Sequence, residues 1–237
     1  TDCQNYPERV LQSGLISLNH LKIAGGLAIL AQLVGSLVAD QGIGLTTYWW
    51  AATCVYSLLM AKEFFVGEWL SKRLTLYAVS HMIVMPIAMM WFAQFGAGQA
   101  MLVPELGLLA LLSFLSGGSF EVTRKLRGPE EERDEVDSYT KVMGIRGASV
   151  FVFVLLVASA GVQVALLQWI FGGVGAWWWY LLLCVGPALS AVTLSKFVKA
   201  PSEKTRKANE GSVSLAMLLS YVVVVAAIIF QYGITWA

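Results

Sequence analysis

Charged side chains are crowded into residues 120–146, between two long apolar runs that carry almost no charge. This segment places Glu121, Arg124 and Lys125 ahead of a largely acidic run at 130–137. Carboxylates at helix ends can hold Mg²⁺, which prefers a few carboxylates together with phosphate oxygens and water. Arginine and lysine can clamp a diphosphate group beside such an ion. The segment is therefore either a solvated connecting loop or a site for a charged ligand.

Three other charged segments flank apolar runs. Residues 1–20 contain Asp2 and Arg9, and residues 62–75 contain Glu63, Lys72 and Arg73. The third, residues 199–210, has the composition of an ordinary basic flanking loop, and we predict no site there. Cations from separate segments could neutralise a diphosphate leaving group as its charge develops. An apolar helix bundle would house the apolar tail of such a substrate.

The same residues also have structural interpretations. Glu121, Arg124 and Lys125 have the i, i+3 and i, i+4 spacing of surface ion pairs, which contribute about a few tenths of a kcal/mol each. The acidic residues at 130–132 are expected to be solvated surface. Lys72 and Arg73 serve equally well as anchors at a membrane surface.

Amino-acid composition indicates which class of protein carries these residues. The chain is 57% hydrophobic and 13% charged, whereas soluble domains are about 25% charged. Apolar runs of about twenty residues predict membrane-spanning helices, because a lipid-exposed strand would leave backbone groups unpaired. The sequence thus predicts an all-α polytopic membrane helix bundle, a single domain over residues 1–237. Its seven transmembrane helices are expected near residues 21–39, 46–66, 74–95, 101–118, 148–170, 176–197 and 213–231.

Basic residues indicate the orientation of the bundle. All sixteen Lys and Arg residues lie in the N-terminal segment up to residue 22 or in and beside alternate connections, while the connections at 40–44, 94–99 and 171–175 carry none. The positive-inside rule makes the basic side cytoplasmic. We therefore predict a protein of the cell (inner) membrane, with its N-terminus and charged loops in the cytoplasm and its C-terminus outside.

Several classes are not supported. The net charge of +1, without a basic stripe, gives no sign of nucleic-acid binding, and three scattered cysteines make no disulfide framework. A seven-helix retinal protein needs a lysine inside its last helix, and residues 213–231 contain none. The broken-helix pairs in related halves that are typical of transporters are not found.

Three motifs resemble a known family. Asp2 is followed by Y-P-E-R-V-L-Q-S-G-L-I-S at residues 6–17, and K-R-L-T stands at 72–75. After the charged segment comes S-Y-T-K-V-M-G at 138–144, with four predicted helices before it and three after. In order and spacing, these motifs are similar to those of the UbiA superfamily of intramembrane prenyltransferases.

The resemblance implies an activity and a site. It implies an enzyme that moves an isoprenoid group from its diphosphate to a lipophilic or aromatic acceptor with the help of Mg²⁺, within membrane lipid. On that basis Asp2 and Glu121 would hold the metal, and Glu121 and Lys125 would be catalytic. The residues expected to bind diphosphate are Arg9, Lys72, Arg73, Arg124 and Lys125.

Two departures from the family pattern keep an alternative open. The first two of the family's nine helices are not found, so another chain or fragment is expected to supply them. Lys125 stands where the second family motif has an acidic residue. The alternative function is a non-catalytic UbiA-like membrane subunit or scaffold of a larger complex, binding a lipid or quinone-like tail.

Overall fold

The fold is that of a helix bundle. The structure is a computed structural model that describes residues 10–97, 103–133 and 138–234. Within those ranges there are helices and no strands. In chain order the helices are α1 (Leu18–Ala39), α2 (Leu45–Ala61), α3 (Gly67–Ser71), α4 (Leu74–Met82), α5 (Val84–Ala97), α6 (Pro104–Arg124), α7 (Tyr139–Phe171), α8 (Trp177–Lys199) and α9 (Glu203–Tyr232).

Six of the spans in the described ranges are long and apolar enough to cross a membrane: α1, α4 with α5, α6, α7, α8 and α9. Helix α2 has 17 residues, which at 1.5 Å per residue cover about 25 Å of a hydrocarbon core of about 30 Å. Each of the seven predicted segments overlaps a helix of the described ranges, although six spans rather than seven are long and apolar enough to cross a membrane, and the predicted all-α membrane bundle is confirmed. The chain is therefore an integral membrane protein.

Helix ends differ from the ends of the apolar runs. Helix α6 continues to Arg124 and α7 begins at Tyr139, so the predicted loop at 120–146 shrinks to residues 125–138. Hydropathy marks only the part of a helix that lies in hydrocarbon, whereas backbone hydrogen bonding continues until a cap or a break ends it. The cap of α7 is the Ser138 hydroxyl, which accepts a hydrogen bond from the Lys141 amide.

Helix α2 ends earlier than predicted. The predicted segment runs to residue 66, but the helix stops at Ala61 and a 3₁₀ turn follows at Glu63–Phe65. Glu63, Phe64 and Phe65 have φ values of 50°, 52° and 60°. These left-handed conformations are unfavourable for residues with a Cβ and cannot continue a right-handed helix. The turn brings Glu63 back toward α4.

Two layers of apolar side chains form the core where α6 to α9 pack together. One lies near the charged loops and contains Val122, Tyr139 and Phe197, and the other lies toward the opposite end and contains Leu112 and Leu167. Small residues allow the helices to approach closely, as is common in membranes. Together these helices form the frame that holds the loop at 125–138.

Candidate functional site

Glu121 lies in the last turn of α6 and is paired with two cations. Its carboxylate is 2.6 Å from Nη2 of Arg124 and 2.9 Å from Nζ of Lys125. The Glu121 side chain is only 13% exposed, whereas that of Arg124 is 59% exposed. The i, i+3 and i, i+4 spacing that sequence analysis identified therefore becomes one compact cluster at the end of a membrane helix.

A chain of contacts extends from this cluster to α4. The Lys125 ammonium lies 5.3 Å from the centroid of the Tyr77 ring, a cation–π geometry. The Tyr77 hydroxyl donates a hydrogen bond of 3.1 Å to Glu63, and the Tyr77 ring stacks on His81 at 4.0 Å. Nε2 of His81 is 3.7 Å from the Glu63 carboxylate. The 3₁₀ turn after α2, the start of α4 and the end of α6 thus share one polar cluster.

The loop at 125–138 is closed by its own polar side chains. The Glu132 carboxylate accepts hydrogen bonds from the hydroxyls of Ser138 and Thr140, each at 2.7 Å from Oε1. The Arg127 amide donates to the Thr140 hydroxyl at 2.9 Å. These bonds join both ends of the loop to the start of α7, so Glu132 has a structural contact rather than the solvated position expected from sequence.

A second set of contacts ties the same loop to α9. Nε of Arg206 donates to the two carboxylate oxygens of Glu131 at 2.8 and 3.1 Å, and its Nη1 pairs with Glu210. Nearby, a Cβ on Gly128 would lie 3.3 Å from the Ser202 backbone. The connection between α8 and α9 therefore packs directly against the charged loop.

A cavity of about 680 Å³ lies where these two connections meet. Its described lining is almost entirely charged, with cations and carboxylates in nearly equal number. The lining residues are Arg124, Lys125, Arg127, Glu130, Glu131, Glu132, Arg133, Ser138, Glu203 and Arg206. Because the cavity opens at the charged end of an apolar bundle, it is suited to the polar end of an amphipathic ligand.

The structure brings together only some of the predicted site residues. Glu121 pairs with Arg124 and Lys125, and these two cations line the cavity. Arg73 instead lies over the Trp69 ring at 4.2 Å and donates to the Trp69 carbonyl. Lys72 is exposed at the end of α3. The other two predicted residues, Asp2 and Arg9, lie outside the described residues.

The described residues do not by themselves fit Mg²⁺. Within them, no group of three or more His, Cys, Asp or Glu side chains is arranged so that it could hold a metal ion. Glu121, the predicted ligand, is already bound to two cations, and a positive neighbour opposes a second positive charge. A magnesium site would depend on Asp2 and other residues beyond the described ranges.

Two contributors to the site were missed by sequence reasoning. Arg206 belongs to the segment where no site was predicted, and its partner Glu131 lies 75 positions away. Tyr77 was not singled out, although it connects Lys125 to Glu63. Sequence could have identified Tyr77 by its position, because it lies among apolar residues one helical turn after the basic pair Lys72 and Arg73. No local pattern marks the contact between Arg206 and Glu131.

Comparison with known proteins agrees with this architecture. A solved structure of digeranylgeranylglyceryl phosphate synthase in membranes superposes with a TM-score of 0.59 at 21% identity, with 96% of this chain and 76% of that chain covered. At this identity the likeness concerns the fold alone. A search of curated proteins found no match. The model of the UbiA prenyltransferase family matches residues 1–222, which include every charged segment described above. The chain belongs to the UbiA prenyltransferase family.

Proposed function

We propose that this protein is an intramembrane prenyltransferase that moves an isoprenoid group from its diphosphate to a lipophilic or aromatic acceptor. Given membership of the family, one structural observation supports this proposal. The cluster of Glu121, Arg124 and Lys125 lies where an apolar helix ends and a charged cavity begins. A prenyl diphosphate has the same division between an apolar tail and an anionic head.

The proposed reaction begins when the bond between the allylic carbon and the diphosphate oxygen breaks. The electron pair leaves with the diphosphate, and the allylic cation is attacked by the acceptor, which then loses a proton. Negative charge grows on the leaving oxygen as the bond breaks. Cations fixed beside that oxygen stabilise the transition state more than the ground state, and this difference accelerates the reaction.

Lys125 is the proposed catalytic cation. Its ammonium is held between the Glu121 carboxylate and the Tyr77 ring, so it is positioned before the substrate arrives. Arg124 is the more exposed partner, and its planar guanidinium would donate hydrogen bonds to the outer phosphate. Glu121 acts as a positioning residue for both, because a single carboxylate fixes the two cations on one wall of the cavity.

Lys72, Arg73 and Arg9 remain proposed contributors to diphosphate binding. Arg73 begins the helix that carries Tyr77, whose amide donates to the Arg73 carbonyl at 2.8 Å. This places Lys72 and Arg73 one turn from the aromatic ring beneath Lys125. Mg²⁺ assistance remains a proposal that rests on the family resemblance and on Asp2, and we derive no step through it.

The test is release of diphosphate from a prenyl diphosphate by the purified protein in lipid, with an aromatic or lipophilic acceptor present. Lys125→Gln should lower kcat by about 10²–10³, the usual effect of removing one group that stabilises developing charge. Glu121→Gln should lower activity by releasing Lys125 and Arg124 from their fixed positions. Glu68→Gln changes an exposed acid on α3 and should leave activity unchanged.

The alternative function gives a different result. A non-catalytic subunit would release no diphosphate under any condition, with or without added Mg²⁺, yet would still bind the amphipathic ligand. Release of diphosphate by Lys125→Gln at the rate of the unaltered protein would contradict the assigned site. Binding without turnover would favour the scaffold function. The presence of Lys125 where the family motif has an acidic residue is the sequence feature that agrees with that function.

A further inference from the structure

A second cavity lies on the outside of the bundle, between α7 and α8. It is a groove of about 370 Å³, lined on α7 by Ser149, Val150 and Phe153 and on α8 by Ala191, Leu194, Ser195, Val198 and Lys199. The spacing on each helix is that of one helical face. Its residues differ entirely from those of the charged cavity, so it belongs to a different site.

One cation lines the end of this groove, and a second lies one helical turn from its lining. Lys199 is its last residue on α8, and Arg146 precedes Ser149 by three positions and Val150 by four, on the same face of α7. Both side chains are exposed. Neither has a hydrogen bond or an ion pair with any residue that the structure describes. None of the described lining residues is acidic.

A buried hydroxyl inside the groove also lacks a partner. Ser149 is 4% exposed, and its Oγ has no hydrogen-bond partner among the described residues. A serine in a membrane helix ordinarily donates to the carbonyl one turn earlier, and a buried hydroxyl without a partner is destabilising. A polar atom from a ligand in the groove would satisfy it.

The backbone of α7 also favours an anion at this end of the groove. Gly144, with φ of 71° and ψ of 161°, interrupts the helix two residues before Arg146. The long membrane segment of α7 therefore starts anew beside the mouth of the groove. The beginning of a helix carries partial positive charge from its backbone amides, which favours an anion there.

We propose that this groove binds an anionic phospholipid of the surrounding bilayer. The phosphate contacts Arg146 and Lys199, and an acyl chain lies along Val150, Phe153 and Leu194. Charge complementarity identifies the occupant, because two unpaired cations above an apolar channel match an anionic headgroup above a hydrocarbon chain. The proposal is independent of the prenyltransferase reaction and does not require the protein to be an enzyme.

The test is native mass spectrometry of the purified protein with dioleoylphosphatidylglycerol or dioleoylphosphatidylcholine, which have the same acyl chains. The unaltered protein should retain the anionic lipid preferentially. Arg146→Gln and Lys199→Gln should each lower its affinity about fivefold, the effect of one basic residue at an anionic surface. Lys204→Gln removes one charge from an exposed position outside the groove and should change nothing.

A second variant tests the apolar part of the groove. Ala191→Phe fills the channel without altering charge, and it should weaken retention of phosphatidylglycerol while the melting temperature shows that the protein is folded. Unchanged retention in this variant, or equal retention of the two lipids by the unaltered protein, would overturn the proposal. So would displacement of the lipid by millimolar inorganic diphosphate, which would make the groove a site for a soluble anion.

Discussion

Asp40 shows how one side chain determines a connection between helices. Its carboxylate accepts hydrogen bonds from the amides of Thr46 and Thr47, at 3.1 and 2.8 Å, and from the Thr47 hydroxyl at 2.7 Å. The first turn of α2 would otherwise leave those amides without partners. Burial raises the pKa of Asp40, but the hydrogen bonds from Thr46 and Thr47 outweigh it and lower the pKa to about 2.

We expect Asp40→Ala to lower the free energy of unfolding by about 1 kcal/mol, as for the loss of other helix caps. The folded-state pKa lies below the ordinary value of 3.8. The stabilisation is therefore complete above that value and is lost as the pH falls through about 2. Melting temperatures of both proteins in detergent should differ by a constant amount from pH 8 to 5 and converge below pH 4. A difference that persists unchanged to pH 2 would contradict the role of the ionised carboxylate.

Spacing along one helix was enough to predict part of the candidate site. Glu121, Arg124 and Lys125 come together because residues three and four apart on a helix are neighbours. Arg206 could not be found in this way, since its approach to Glu131 depends on how α9 packs against α6 and α7. The early end of α2 was also missed, because Phe64, Phe65 and Val66 are apolar and extend the predicted helix past Lys62 and Glu63, where the left-handed turn begins.

Helices α8 and α9 pack closely at one point. A Cβ on Gly186 would lie 2.8 Å from the Ala216 Cβ and 2.9 Å from its Cα. Both distances are too short for nonbonded carbons, so any larger residue requires the helices to separate. The glycine is therefore needed for the contact between the helices and not for its backbone freedom.

Gly186→Ala should destabilise the protein by about 1–3 kcal/mol, the usual effect of overpacking. The matched control is Gly211→Ala on α9, where an added Cβ meets nothing within 4 Å. That change should be neutral or stabilising by up to about 1 kcal/mol, because alanine favours helix more than glycine does. Thermal unfolding in the same detergent measures both, and equal melting temperatures for the two variants would contradict the close packing.

The whole molecule has one end with large connections rich in charge and one with short connections that carry no Lys or Arg. Composition predicted this arrangement well, because hydrocarbon excludes charge wherever a helix crosses it. The tryptophans occupy two environments. Trp177 and Trp178 are exposed, as is usual for aromatic residues at a membrane interface, whereas Trp91 and Trp179 are buried. The Trp91 indole donates to Ser36 of α1, a pairing that no sequence window contains.

Orientation in the membrane remains a prediction from the positive-inside rule. In a variant whose native cysteines are replaced by serine, Lys72→Cys should react with a membrane-impermeant maleimide only after the cells are permeabilised. Gly173→Cys, in the short connection between α7 and α8, should react in intact cells. The reverse pattern would place the charged cavity outside the cytoplasm and separate it from intracellular prenyl diphosphates.

The ion pair between Glu131 and Arg206 has a consequence for biogenesis. During synthesis, α6, the charged loop and α7 leave the ribosome before Arg206 exists, so this pair cannot form while they are being inserted. The cavity is completed only when α9 docks, at the end of assembly. A nascent chain halted before residue 203 would hold its helices in the bilayer but lack the wall formed by Glu203 and Arg206. In the cell, capacity for the proposed ligand should therefore appear with the last helix rather than accumulate gradually.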